Sequence, residues 1–348
     1  MEKINVKTGT EYNVLIGANL LNDTGALVSE VKTPCKAAII SDDKVYSLYG
    51  KVVENSLTKS GFEVVSFYFE KGEKSKNLAT YGEILEFLAE NKITRTDLVI
   101  ALGGGVVGDM AGFCAATYLR GIDFVQIPTS LLAAVDSSVG GKTAIDLKCG
   151  KNLAGAFHQP ILVVCDTKTF DTLDPKQISC GMAEVIKYGI ICDRQLFDTL
   201  EAKAPDYTEL VARCISIKRD IVERDEFEHG DRKLLNLGHT LGHAVEKHSN
   251  FELTHGAAVA IGMMMICNIS EKKGYAKENM TERLKNLLIK YELPTSYSIL
   301  KDELFDIATG DKKVSGGSIT TVIPESIGKC LLEKMSLDDF RILINFAF

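Results

Sequence analysis

The sequence predicts an α/β protein, with a Rossmann-like parallel-sheet domain over residues 1–174 and a mainly α-helical domain over residues 175–348. Three observations lead there. Up to about residue 170, short β-branched apolar runs alternate with helical patterns, as strands and crossover helices of a parallel sheet do. One of those runs, residues 98–102, passes through a glycine turn into a helical pattern, the context of a phosphate-binding loop. Beyond Asp174 the apolar period lengthens to that of helices, and 348 residues exceed what one hydrophobic core usually organises.

The expected strands are residues 37–40, 64–69, 98–102, 124–127 and 161–165, each rich in apolar and β-branched side chains. The domain break falls at Leu173-Asp174-Pro175, because proline biases the preceding residue away from helix and suits the first turn of a new one. Helices are expected over residues 207–226, 234–247, 257–272 and 279–291, with Glu184 on the first helix of the second domain. Near the end, residues 318–323 and 329–332 read as a small hairpin, and Ser336 with Asp339 as the cap of the last helix. The sequence contains no internal repeat or low-complexity segment.

Composition removes several function classes. A formal charge of -7 argues against nucleic acid as a partner, so any anionic ligand must be met by locally placed cations. Nine cysteines, an odd number without a Cys-x-x-Cys pair, form neither a disulfide framework nor a thiolate zinc site. Residues 1–6 carry no apolar leader segment, and the longest apolar run, residues 256–267, is too short to span a bilayer. The expectation is a soluble cytoplasmic protein with no membrane partner.

The glycine turn is Gly103-Gly104-Gly105-Val106-Val107-Gly108-Asp109, in which Gly103, Gly105 and Gly108 match the dinucleotide-binding spacing. Glycines let the backbone approach a pyrophosphate, and free N–H groups at a helix start favour its charge. The turn follows a middle strand, unlike an ordinary fingerprint domain. Asp42, after the strand at 37–40, is a candidate to accept both hydroxyls of a ribose, and Glu73 and Lys74 follow another strand end in Gly72-Glu73-Lys74-Ser75-Lys76. Residues 136–143 and 150–157 read as a cation-rich loop, setting Lys142, Lys151 and Asn152 among glycines and small residues. Lysine meets phosphate as a point charge with three donors.

The densest chemistry lies in residues 232–243, followed by His255-Gly256. Neutral imidazole is the commonest ligand for a transition metal, and His239 and His243 sit four apart on one helix face. Such a pair alone is as often a plain helix face. Glu184 shifts the balance, since a carboxylate within the apolar run 181–189 must be paired or bind metal once buried. A catalytic zinc takes three protein ligands, so Glu184 with two of His239, His243 and His255 suffices, and the spacing leaves open which two. Lys187 follows three residues later on the same face as Glu184. Arg232 and Asn236 stand four apart, with His239 and His243 continuing along that side, and Arg232 suits a substrate carboxylate.

Residues 103–109, 128–143, 150–157, 181–189 and 232–255 together resemble the 3-dehydroquinate synthase family of sugar phosphate cyclases, across nearly the whole chain. The resemblance implies zinc, with cobalt as the alternative ion, held by Glu184, His239 and His255, and His243 beside the substrate. It implies NAD contacts at Asp42, Glu73, Lys74, Lys76, Gly105, Val106, Val107, Gly108, Asp109, Thr129, Ser130, Lys142, Lys151, Thr169, Phe170, Asp171 and Thr172. Substrate contacts are implied at Asp136, Lys142, Asn152, Lys187, Lys218, Glu228, Arg232, Asn236, His243 and one of Lys312 and Lys313. Arg120 would reach the site of a neighbouring subunit, making a homodimer. Ser130 and Ala134 depart from the usual Thr and Gln of this pattern. The implied reaction converts the seven-carbon phosphate DAHP (3-deoxy-D-arabino-heptulosonate 7-phosphate) to 3-dehydroquinate and inorganic phosphate, with NAD recycled. The rivals are aminodehydroquinate or 2-deoxy-scyllo-inosose synthase, a metal-dependent polyol dehydrogenase, and a non-catalytic metabolite-binding protein.

Overall fold

The computed structural model describes residues 1–310 and 317–348. Its first strands are β1 (Glu2–Lys7), β2 (Glu11–Gly17), β3 (Lys36–Asp42), β4 (Glu63–Phe69), β5 (Leu98–Gly103), β6 (Asp123–Pro128), β7 (Lys142–Leu147), β8 (Gly150–Phe157) and β9 (Leu162–Asp166). Seven of them form one sheet in the order β1-β2-β9-β6-β5-β3-β4, parallel apart from the β1–β2 pair. All five expected strands are present. Ile39, Ile40, Val99, Ile100 and Val125 have no solvent exposure, as befits parallel strands covered on both faces.

Two hairpins depart from expectation. β1 and β2 pair antiparallel through short alternations such as Ile4 and Val6, too brief to stand out in the sequence. Residues 142–157, expected as a loop, are the antiparallel pair β7–β8, with Lys142 opposite Phe157. The small residues that weaken the strand signal are needed there: a Cβ on Gly155 would lie 2.2 Å from the Thr143 carbonyl oxygen.

Helices of this part are α1 (Thr24–Ser29), α2 (Asp43–Val45), α3 (Lys51–Lys59), α4 (Leu78–Glu90) and α5 (Gly105–Thr117). From β3 the chain winds outward to β4, then returns to the other side of β3 as β5. The winding reverses between β3 and β5, so their C-terminal ends flank a switch-point crevice. The middle-strand position of the glycine turn follows from this topology.

Asp174 caps α6 (Pro175–Ile191), with Pro175 in its first turn and Gln177 completing a capping box. After α7 (Arg194–Ala202) comes α8 (Tyr207–Arg224), which packs against β1 and β2. The compact units are therefore Met1–Leu173 with Tyr207–Glu226, and Asp174–Asp206 with Phe227–Phe348. A single cut at 174 misses this return, because helical periodicity does not report which partner a helix packs against.

The second unit continues with α9 (His239–His248), α10 (His255–Lys273), α11 (Thr281–Lys290), α12 (Lys301–Thr309), the hairpin β10 (Ser318–Ser326) and β11 (Lys329–Ser336), and α13 (Leu337–Ile344), which Ser336 caps. The expected helix at 234–247 is two elements, a 3-10 turn Asp231–Asn236 and α9, separated by Gly238 at φ 77°. Residues 256–267 lie in α10 and are all buried. Among the described residues, no helix is long and apolar enough to cross a membrane.

Glycine lets three helix backbones touch. A Cβ on Gly262 would lie 2.0 Å from the Gly238 carbonyl oxygen, and one on Gly242 2.8 Å from that of Ala258, so α9 and α10 meet without side chains between them. Likewise a Cβ on Gly256 would lie 2.3 Å from the Cys180 carbonyl oxygen, which brings α10 onto α6. Gly82 on α4 has nothing within 4 Å of such a Cβ. Gly262→Ala should therefore cost about 1–3 kcal/mol or more in denaturant unfolding. Gly82→Ala should add about 0.4–1 kcal/mol, and equal midpoints for the two variants would contradict this packing.

Candidate active site

In the second unit, α6, α9 and α10 bring together side chains distant in the chain. The three imidazoles of His239, His243 and His255 offer ligand atoms within 4.8 Å of one another. Glu184, with no exposure, places Oε1 3.2 Å from His255 Nε2 and 3.6 Å from His239 Nε2. Lys187, also buried, pairs with Glu184 Oε2 one turn along α6. The structure thus brings Glu184, His239, His243 and His255 together.

These residues fit a divalent ion. His239 Nδ1 lies 3.1 Å from the Leu237 carbonyl oxygen, a contact that places the proton on Nδ1 and leaves Nε2 as a ligand lone pair. Burial pushes the His239 pKa down to about 3, so the ring is neutral at ordinary pH. His255 behaves oppositely: burial works against its cation, but the nearby carboxylates of Glu184 and Glu246 prevail and raise its pKa to about 9. A proton there compensates the buried carboxylates where an ion would otherwise do so. His243 is the exposed member of the set.

Other expected substrate residues of this unit are held nearby in the chain. Arg232 is buried, 2 % exposed, on the 3-10 turn. Asn236 Nδ2 donates to Glu228 Oε1 at 2.6 Å, and Glu228 has φ 62°. Because Gly238 breaks the element, Arg232 and Asn236 do not share one continuous helix face with His239 and His243, correcting that expectation. Lys312 and Lys313 lie outside the described residues.

In the first unit, the glycine turn opens α5, with Gly104 at its N-cap. A Cβ on Gly108 would fall 2.7 Å from Gln126 Oε1 on β6, so this glycine sets the close helix–strand packing, with Val107 buried beside it. Asp42 ends β3, accepts the Val45 N–H at 2.8 Å, and has its pKa raised by burial. Thr129 is tied to the turn through its N–H, 3.0 Å from the Gly103 carbonyl oxygen, and Ser130 follows it. Buried Lys76 donates to Asp109 Oδ2 at 2.6 Å and to Asn152 Oδ1. Burial opposes its charge, yet the carboxylates of Asp109 and Glu73 hold its pKa above the ordinary value. Lys151 lies 3.3 Å from Glu73 Oε1, while Lys74 and Lys142 are exposed.

Lys218 on α8 donates to both Asp136 Oδ1 and the Asp136 carbonyl oxygen at 2.6 Å, joining two expected substrate residues in one partly buried pair. Arg120 is exposed on a turn with φ 71°. The stretch from Thr169 to Thr172 is mixed. Phe170 is buried edge-on against Tyr207 and Thr169 is buried, so their side chains serve the core, while Asp171 and Thr172 are exposed.

Sequence reasoning missed Glu246. It is buried on α9, with Oε2 3.9 Å from His255 Nδ1. Its signal was available: it follows His239 by seven residues and His243 by three, on the same helix face.

A switch-point crevice in one unit and a three-imidazole, one-carboxylate cluster in the other define the class, an α/β enzyme of nucleotide- and metal-assisted chemistry. The 3-dehydroquinate synthase N-terminal family matches residues 66–180, and the 3-dehydroquinate synthase C-terminal family matches residues 181–314. A 3-dehydroquinate synthase of Clostridium acetobutylicum is 46 % identical over 345 residues, 96 % of this chain and 97 % of that protein. The structure resembles 2-epi-5-epi-valiolone synthase of Streptomyces hygroscopicus with NAD+ and Zn2+ bound, at TM-score 0.89 and 25 % identity, covering 99 % of this chain and 98 % of that one. It also resembles 2-deoxy-scyllo-inosose synthase complexed with carbaglucose-6-phosphate, NAD+ and Co2+, at TM-score 0.86 and 25 % identity over 99 % of each chain. The chain belongs to the 3-dehydroquinate synthase family.

Two outcomes follow from this geometry. Glu184→Ala and His255→Ala should each abolish metal retention, read as zinc per chain after dialysis, and full occupancy in both would remove these residues as ligands. The second concerns pH. His255 in the metal-free fold has a pKa of about 9 against an ordinary 6.5, so its stabilisation is complete below 6.5 and lost as pH rises through 9. The unfolding-midpoint gap between metal-free wild type and His255→Ala should narrow from pH 6 to pH 9.5, and a constant gap would contradict the assignment.

Proposed function

We propose that this chain converts DAHP to 3-dehydroquinate and inorganic phosphate, with NAD as a recycled cofactor and zinc or cobalt as the metal. The observation that carries the reading is the meeting of Glu184, His239 and His255 around one point, in a chain of this family. His243, exposed beside that point, is left to contact the substrate. When bound, NAD supplies an acceptor that later returns its hydride, and the metal supplies Lewis acidity toward substrate hydroxyls.

The chain's own residues have the chemistry the remaining steps require. Lys142, Lys151 and Asn152, on the β7–β8 hairpin, supply cations and an amide for a phosphate that must be held and then released. Arg232, charged and buried, suits a carboxylate, which favours a sugar acid over the uncharged ring of an inosose. Lys187 and His243 are the candidates to move protons beside the metal. Asp42 and the Gly105–Asp109 start of α5 suit the ribose and pyrophosphate of NAD. A homodimer, with exposed Arg120 serving a second subunit, completes the reading, and nine free cysteines suit a cytoplasmic location.

The test is release of inorganic phosphate from DAHP with added NAD and divalent metal. Stoichiometric phosphate without net NADH is expected. Accumulating NADH would point to a polyol dehydrogenase, and absence of phosphate release would overturn the proposal. Lys142→Ala, at an exposed strand position, should keep the fold and lower turnover about 100-fold or more. Unchanged turnover would remove Lys142 from the site.

A further inference from the structure

Among the described residues, Glu246 is the one buried carboxylate beside the histidine cluster to which the proposed reaction gives no role. It is 4 % exposed on α9, and a carboxylate taken from water needs a compensating partner. Its Oε2 faces Nδ1 of His255 at 3.9 Å, while Nε2 of the same ring faces Glu184 at 3.2 Å. His255 thus stands between two carboxylates, one on each ring nitrogen. His239 has the parallel arrangement, with the Leu237 carbonyl oxygen behind Nδ1 and Glu184 before Nε2.

We propose that Glu246 is a positioning residue of the metal centre, accepting the Nδ1–H of His255 and so holding its Nε2 toward the ion. The proposal rests on the reading that Glu184, His239 and His255 are the ligands. An imidazole bound through one nitrogen nearly always donates the other N–H to an acceptor, which fixes tautomer and ring orientation and raises the basicity of the ligand atom. The imidazole χ2 torsion is broad, so a modest ring rotation shortens the 3.9 Å separation to a hydrogen bond. The helix supplies the alignment, since His239, His243 and Glu246 recur at the spacing of one face while Gly242 and Gly262 seat that face against α10.

The experiment compares wild type, Glu246→Gln and Glu246→Asp after chelator stripping, by Co2+ titration followed in visible absorption. Glu246→Gln keeps size and removes charge, and should weaken Co2+ binding roughly 10- to 100-fold in a protein that still unfolds in one cooperative transition when metal-free. Glu246→Asp, which keeps the charge one methylene further back, should fall between. In zinc-loaded protein labelled with 15N-histidine, the Nδ1–H proton of His255 should move upfield in Glu246→Gln, a change that general loosening of the helix would not produce.

Wild-type Co2+ affinity in folded Glu246→Gln overturns the proposal, and so does weakened affinity with the His255 resonance unmoved. If the Gln variant does not fold, Glu246→Asp decides by the same two readings. A wild-type protein that takes up no Co2+ overturns the metal reading itself.

Discussion

Glu184 is carried on α6 into an interior where no solvent reaches it, and an uncompensated carboxylate there would cost several kcal/mol. Lys187 compensates from the same helix, but it meets only one face of the carboxyl group. The other oxygen looks toward His239 and His255, which belong to two different helices. The arrangement of the helical unit follows from that need. α10 must lie against α6 and α9 closely enough for imidazoles to reach one oxygen, and glycines at 238, 242, 256 and 262 permit it.

The same geometry sets the charge state of the cluster. Glu184, Glu246, Lys187 and three imidazoles within a few ångströms form a set whose charges are balanced by protons when no ion is present, as the opposite shifts of His239 and His255 display. An ion bound at His255 Nε2 would displace the proton held there, so metal affinity and pH would be coupled through this one ring. In the first unit the logic is different. There the backbone does the work, with an α-helix start at a switch point and lysines placed singly in a chain whose net charge is -7.

Much of the molecule could be read from residue order. The central strands announced themselves because buried parallel strands are continuous apolar runs, and α6 and the last helix because Asp174-Pro175 and Ser336 are strong starts. Glu184 was conspicuous as a charge within an apolar segment. The β1–β2 and β7–β8 hairpins escaped because brief alternation and small side chains carry little period-2 signal. The helix expected at 234–247 looked continuous because apolar spacing survives a break at one left-handed glycine. Phe170, read as part of a cofactor-contacting stretch, is a core side chain, which local sequence does not distinguish.

Residue order alone established the chemical inventory: a glycine turn after an apolar strand, three histidines, one carboxylate in an apolar helix, and the family pattern that links them. These are local properties, set by side-chain type and spacing along a single element. What the three-dimensional packing decided was company. That Lys76 meets Asp109, that Lys218 meets Asp136 from a helix returning to the first unit, and that Glu246 stands behind His255 all depend on contacts between elements far apart in the chain. Helix and strand periods report which face is apolar and not which neighbour will cover it, so partners at long sequence separation become visible only when the backbones have packed.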